Sequence, residues 1–317
     1  MRLFRGIVVC LLAGLLAGCT ARSDAPDTAS VPPMPQKVDA YEDGAPLVDV
    51  YVTEHERIET MPLETYLYGV LAGEMKNDWP MEALKAQAIL ARTFVLKFMA
   101  EKESRYEGAD ISTDIEEAQA YDASAVNQRV RDAVDATRGL VLSSGGELPY
   151  AWFHAHSGGV TALAREGLNW KAEEPPYTRV TKGNENQSAA PDAAAWEAEF
   201  SAAEVIAAAE EAGTFLETLD SAEVGERGES GRAVTLLLSG QAVNAADLRI
   251  ALGSTRMRST LLTSLRLEGG VLHMAGKGFG HGVGMSQWGA YALAGQGWQA
   301  QDIVTAYFDG VAVVRMY

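Results

Sequence analysis

The chain has 317 residues, with 26 Lys and Arg against 43 Asp and Glu, and a net charge of −17. So acidic a protein argues against nucleic acid as a partner and against docking on anionic lipid by charge. Its two cysteines, Cys10 and Cys19, both fall in the first 19 residues, which leaves the rest of the chain without a disulfide or a thiolate metal site.

The N-terminus reads as a targeting segment. Arg2 and Arg5 precede an apolar run over 7–17, which ends in Leu16, Ala17, Gly18 and Cys19. The run is too short to span a bilayer comfortably and suits a signal-peptide core. The small residues before Cys19 look like a bacterial lipobox. Residues 1–19 are therefore expected to be a lipoprotein signal, with Cys19 lipidated and anchored in the cell envelope. The chain would then face the periplasm or cell-wall space, and Thr20 in place of aspartate favours an outer membrane where there is one. Residues 20–45, rich in Pro, Ser, Asp and Thr, predict a flexible tether. The body is expected over 46–317.

Pro62 suits the start of a helix, and Leu63, Tyr66, Leu67, Val70 and Leu71 recur three and four apart over 62–73. Asp78 is placed to cap a second helix over 81–102, whose seam is Met81, Leu84, Ala88, Ala91, Val95 and Phe98. Gln87 and Arg92 fall on the two flanks of that seam. Glu74 lies in the connection between these helices, beside Met75 and Trp79. A carboxylic acid among apolar neighbours has a raised pKa and can donate a proton near neutrality. A surface glutamate at a helix end is the other reading of the same spacing.

Thr113, Asp114, Gln119 and Tyr121 lie in a polar, turn-rich stretch. A helix is expected over 126–136, followed by a strand at 140–142. Gly145 and Gly146 predict a hairpin between that strand and 149–153. His154 and His156, two apart, suit a metal in an extended segment. Without cysteines, the other ligands would be carboxylates or His281, and neither metal nor cofactor is expected. Residues 192–218 read as an Ala/Glu-rich helical block, an insertion at about 190–220. Strands follow at 233–238 and 261–267. Glycine then occupies every second position from Gly276 to Gly284, around His281. Such a run makes a poor ordinary strand and suits close approach of backbone to something else. That partner is either protein, in a tight crossover, or a bound polymer with His281, Ser286 and Gln287 as contacts. A short helix at 302–307 and a strand at 311–316 close the chain.

Several of these segments together resemble the SpoIID/LytB domain of bacterial sporulation protein D and the amidase-enhancer proteins, over roughly 47–317. They are Leu63 to Met75 with Glu74, Trp79 to Thr93 with Gln87 and Arg92, and Ala136 to Gly139. Ser157, Gly158, Gly159 and Thr161 follow, then Ser230 to Arg232 and the glycine run through Ala290. Asp122 stands where the family usually has glycine, and the cysteines that bind metal in some members are absent. The resemblance implies an α+β fold: a helical pair packed on mixed and antiparallel strands with a small helical insertion. It also implies cleavage of peptidoglycan glycan strands, stripped of peptides, by a lytic transglycosylase with Glu74 as general acid and base. Gln87, Arg92, Ser157, Gly158, Gly159, His281, Ser286 and Gln287 would line the groove. Trp79, Trp152, Trp170 and Trp288 are candidate sugar platforms, and Arg92 or Lys277 would pair a lactyl carboxylate. The alternative within the family is a non-catalytic glycan-binding module that stimulates a cell-wall amidase. A serine hydrolase is disfavoured because Gly284-Met-Ser286-Gln-Trp288 lacks the closing glycine of a nucleophile elbow. A dinucleotide site is disfavoured because no acidic residue follows the glycines at the required distance.

Overall fold

The computed structural model describes residues 29–183, 185 and 194–317. The signal segment, Cys19, the first part of the expected tether and residues 190–193 of the expected insertion lie outside them. The far half of that tether belongs to the fold. Pro32 and Pro35 are buried, Met34 and Val38 pack on the core, and the Ser143 hydroxyl donates to the Ser30 carbonyl at 2.6 Å.

Strands β1 (Tyr41–Glu42), β2 (Ala45–Val52) and β3 (Arg57–Pro62) form an antiparallel sheet. Helix α1 (Leu63–Glu74) starts directly after Pro62, and α2 (Met81–Glu101) directly after Pro80. At both starts the proline is the capping residue, with no side-chain cap bond, so Asp78 does not cap α2. Helix α2 is buried on nearly every side from Ala83 to Met99, as expected of a helix running through a core. Strand β4 (Ile111–Ser112) adds in parallel to β2. Helix α3 (Gln128–Ala136), capped by Asn127, packs on α1 and α2.

Strand β5 (Leu140–Ser143) does not form the expected hairpin with 149–153. Its partner is the C-terminal strand, and β6 (Phe153–His154) pairs elsewhere. The turn glycines leave only a single bridge, Ser144 to Glu147. A short helix α4 (Ala164–Gly167) follows. The expected helical block is half strand: β7 (Ala195–Ser201) precedes α5 (Ala202–Glu211), which opens with a Ser201–Glu204 capping box. Burial of Trp196 and Phe200 in β7 follows the two-residue strand period, which outweighs the helix propensity of the alanines and glutamates around them.

Strands β8 (Ala222–Val224), β9 (Thr235–Leu238) and β10 (Gln241–Asn244) make an antiparallel sheet, followed by α6 (Ala245–Ala251). Strands β11 (Leu262–Glu268) and β12 (Val271–Lys277) join β7 in a third antiparallel sheet. After the glycine run, β13 (Met285–Ser286) pairs in parallel with β6. Helices α7 (Gln287–Gly295) and α8 (Ala300–Thr305) follow, and β14 (Ala312–Arg315) closes on β5.

The fold is α+β and builds two main cores. One gathers α1, α2, α3, α7, α8 and the strands around them; the other lies under β7, α5, β9, α6 and β12. The glycine run carries the chain from the second core back to the first. Among the described residues, no helix is long and apolar enough to cross a membrane.

Candidate active site

A cavity of about 430 Å³ opens between the helical core, the β6 segment and the glycine run. Its wall includes Glu74 from the end of α1, Phe94 from α2, Gln119, Trp152 and His154 around β6, and His281 and Gln287 after the glycine run. Residues from four distant parts of the sequence thus face one space.

Glu74 is held at both oxygens. Oε1 accepts the Ala120 backbone N–H at 2.8 Å, and Oε2 accepts from Gln287 Nε2 at 3.2 Å. Burial raises its pKa above the ordinary carboxylate value, against the opposing pull of these two donors. It is the one acidic side chain in the cavity wall among the described residues, and that wall holds no lysine or arginine.

The two histidines of the wall are neutral near pH 7. His281 is pushed down to about 3, chiefly by burial and then by the charges of Arg249 and Arg232. Its Nδ1 accepts the Val283 N–H at 3.0 Å. His154 lies well below its usual value, again chiefly by burial and then by His281 and Arg232. Its ring meets that of His281 edge-on, with centroids 5.7 Å apart. Trp152 stacks on Tyr150 at 5.0 Å and meets Trp170 edge-on.

Glu74, His281 and Gln287 therefore share one cavity, whereas the other expected groove residues lie behind it. Arg92 is fully buried and forks onto Glu64, with Nε to Oε1 at 3.0 Å and Nη2 to Oε2 at 2.6 Å. Its remaining donors reach the Leu140, Val134 and Ala88 carbonyls, so it cannot pair a substrate carboxylate. Gln87 is buried inside the helical core. Lys277 is exposed at the end of β12 and is not part of the cavity wall. Trp79 packs in the core against Trp288 and Tyr291, leaving Trp152 as the platform candidate that faces the cavity.

Ser157 and Ser286 form the frame behind the wall. Glu185 Oε1 accepts the Ser157 N–H at 2.6 Å and the Ser286 hydroxyl at 3.0 Å. Ser286 also caps α7 by accepting the Gly289 N–H, which sets the helix whose first residue, Gln287, reaches Glu74. Gly158 and Gly159 turn with positive φ. Arg232, buried and lowered to about 10 chiefly by burial, ties that turn down by donating to the Ser157 and Val160 carbonyls at 2.6 and 2.8 Å.

The glycines face protein. Gly280, at φ +107, would place a Cβ 2.7 Å from His154 Cβ, and one on Gly278 would lie 2.6 Å from the His156 carbonyl oxygen. The run is thus a close crossover laid against the His154 segment, and its residues Phe279, Gly280 and His281 also line the cavity. His154 Nδ1 bonds the Val283 carbonyl and His156 Nδ1 accepts the Gly158 N–H. Among the described residues, no three His, Cys, Asp or Glu side chains are placed to hold a metal ion.

Sequence reasoning passed over Gln119, Phe94, Phe279 and the organising carboxylate Glu185. Only Gln119 left a signal, as a polar residue two before Tyr121 in a turn-rich stretch.

A family model described as Stage II sporulation protein (SpoIID) matches residues 51–143. A second, described as a domain of unknown function (DUF8618), matches 154–284. The chain is 32% identical to Stage II sporulation protein D of Bacillus amyloliquefaciens over 280 residues, 84% of this chain and 78% of that protein. It is 30% identical to Stage II sporulation protein D of Bacillus subtilis (strain 168) over 287 residues, covering the same shares. The Amidase enhancer of Bacillus subtilis (strain 168) is 26% identical over 293 residues, 78% of this chain and 40% of that protein. At these identities, over most of both chains, the chain belongs to the stage II sporulation protein D family.

Proposed function

We propose that this protein acts on bacterial cell wall as a lytic transglycosylase, cleaving peptidoglycan glycan strands with Glu74 as both acid and base. The observation that carries the reading is a lone, partly buried carboxyl with a raised pKa, set in a cavity wall that contains no second one among the described residues. A glycoside hydrolase needs two carboxylates, one to protonate the leaving oxygen and one to activate water or attack the sugar. Transglycosylation needs one. Protonated Glu74 gives its proton to the glycosidic oxygen as the C1–O bond breaks. The resulting carboxylate takes the proton of the muramic acid C6 hydroxyl as that oxygen closes on C1, leaving a 1,6-anhydro ring. Neutral His154 and His281 suit this step, because neither brings a positive charge that would hold Glu74 ionised.

Glu74→Gln is the test. The amide keeps the shape of the acid but cannot transfer the proton, and general acid–base catalysis contributes about 10²–10⁴-fold. Purified wild type should release anhydromuramyl products from denuded glycan, and the variant should not. Equal release by both would sink the assignment.

The likeness to an amidase enhancer supports a second reading, in which the cavity binds glycan and stimulates a cell-wall amidase without cutting. It predicts that Glu74→Gln stimulates an amidase as well as wild type does. We further propose that lipid on Cys19 anchors the protein in the envelope, in the outer membrane where one exists. Fractionation of wild type and Cys19→Ser checks this, and equal membrane retention would remove the anchor.

A further inference from the structure

Two side chains of the cavity wall are buried with polar atoms left unpaired. Gln119 is 3% exposed and His154 4%. Both amide atoms of Gln119 and Nε2 of His154 lack a hydrogen-bond partner. Buried polar atoms are nearly always paired in native proteins, so three such atoms around one cavity ask for a ligand or for water.

Their chemistry narrows the ligand. The Val283 carbonyl can only accept, so His154 Nδ1, 3.0 Å away, carries the ring proton. Nε2 is left as a pure acceptor. The Gln119 amide offers one acceptor and two donors, and no bond in the fold holds it. A secondary amide on a ligand, with one N–H and one C=O, is its reciprocal partner. Phe94, Ala118 and Ala151 supply apolar wall in the same cavity, suited to a methyl group. The absence of lysine and arginine from the wall disfavours a carboxylate or phosphate. Gln119 also directly precedes Ala120, whose N–H holds Glu74 Oε1, so an amide bound there sits beside the reacting carboxyl.

We infer that the Glu74 cavity recognises the 2-acetamido group of an amino sugar, with Gln119 pairing its amide and His154 Nε2 accepting from a neighbouring sugar hydroxyl. This rests on the reading of the cavity as a glycan site.

The test uses binding rather than cleavage, in the full chain carrying Glu74→Gln. Denuded glycan is compared with the same glycan chemically de-N-acetylated, and with a re-acetylated control. De-N-acetylation exposes amines that the acidic protein would attract by charge. Measurements are therefore made at about 1 M salt, where the Debye length is about 3 Å. The parent should bind the acetylated chains roughly tenfold more tightly, the scale of two neutral hydrogen bonds. Adding Gln119→Leu should abolish that preference by weakening only the acetylated complex, with a melting temperature no lower than the parent's. Adding His154→Phe should weaken both complexes alike and keep the preference.

Binding of acetylated glycan with no preference in the parent, or a preference that survives Gln119→Leu, overturns the inference and leaves the glycan reading standing. Water filling those bonds would give that result. Failure to bind either glycan overturns both.

Discussion

Replacing Arg92 by methionine separates a groove residue from a core residue. Arg92 is fully buried and Glu64 is 2% exposed, and they share two hydrogen bonds of 3.0 and 2.6 Å. Glu64 Oε1 also accepts from the Tyr317 hydroxyl at 2.7 Å and the Gly139 N–H at 3.3 Å. Arg92→Met would leave that carboxylate buried with two neutral donors and no cation. Removing one partner of a buried pair costs about 3–5 kcal/mol. At about 2–4 °C per kcal/mol for a protein of this size class, the melting temperature should fall by about 6–20 °C. Arg92→Lys keeps the charge but not the fork and should fall between. The double variant Glu64→Leu/Arg92→Met removes both charges and should recover much of the loss, since apolar replacement of a whole buried pair is often neutral or stabilising. Calorimetry and pelleting with denuded glycan give the two readouts. A melting temperature within about 1 °C of wild type, with glycan binding lost, would refute this reasoning and return Arg92 to the groove.

Glu74→Gln should stabilise the protein in a pH-dependent way. The folded state holds the Glu74 proton to higher pH than the unfolded chain does. Stability from this group is thus full below the ordinary carboxylate pKa and is lost as pH rises through the folded value, at about 1.4 kcal/mol for each pH unit that separates the folded and unfolded values. The variant should melt with wild type near pH 4 and above it near pH 7; a wild type more stable at pH 7 would contradict the raised pKa. His281→Ala should leave the Val283 N–H unpaired, costing about 1–3 kcal/mol, and the wild-type pH–rate profile should show no step from His281 between pH 5 and 8. Gly280→Ala and Gly297→Ala both strain a positive φ, at about 1–3 kcal/mol each, but a Cβ on Gly297 meets nothing within 4 Å. Gly280→Ala should cost more stability and also lower activity by displacing His154, and equal effects of the two would show that the close approach does not matter.

The helical pair was legible to within a residue because two signals agreed there. Pro62 and Pro80 stand just before each start, and the Leu and Ala seams run unbroken from them. The partner of β5 was not legible. Local glycines pointed to 149–153, while the strand that pairs with Leu140–Ser143 is Ala312–Arg315, far along the chain. No turn signal encodes a pairing at that separation. In β7, Trp196 and Phe200 keep a strand period among residues that favour helix, and only the neighbouring strand β12 decides between the two.

At the site, spacing alone left Glu74 open between an acid among apolar neighbours and a surface glutamate at a helix end, and the flank position on the second helix misplaced Arg92. A polar residue on the flank of a helical seam looks alike in sequence whether it faces a ligand or a buried counter-charge. Glu64, which distinguishes the two, sits 28 residues earlier on another helix. The glycine run shows the complementary ambiguity. Its alternation correctly signalled close approach, but the partner is the chain's own His154 segment, as Gly280 against His154 Cβ makes clear. That closeness has a consequence for the site. The crossover brings His281 edge-on to His154, delivers Gln287 to Glu74 and places Gly280 itself in the cavity wall.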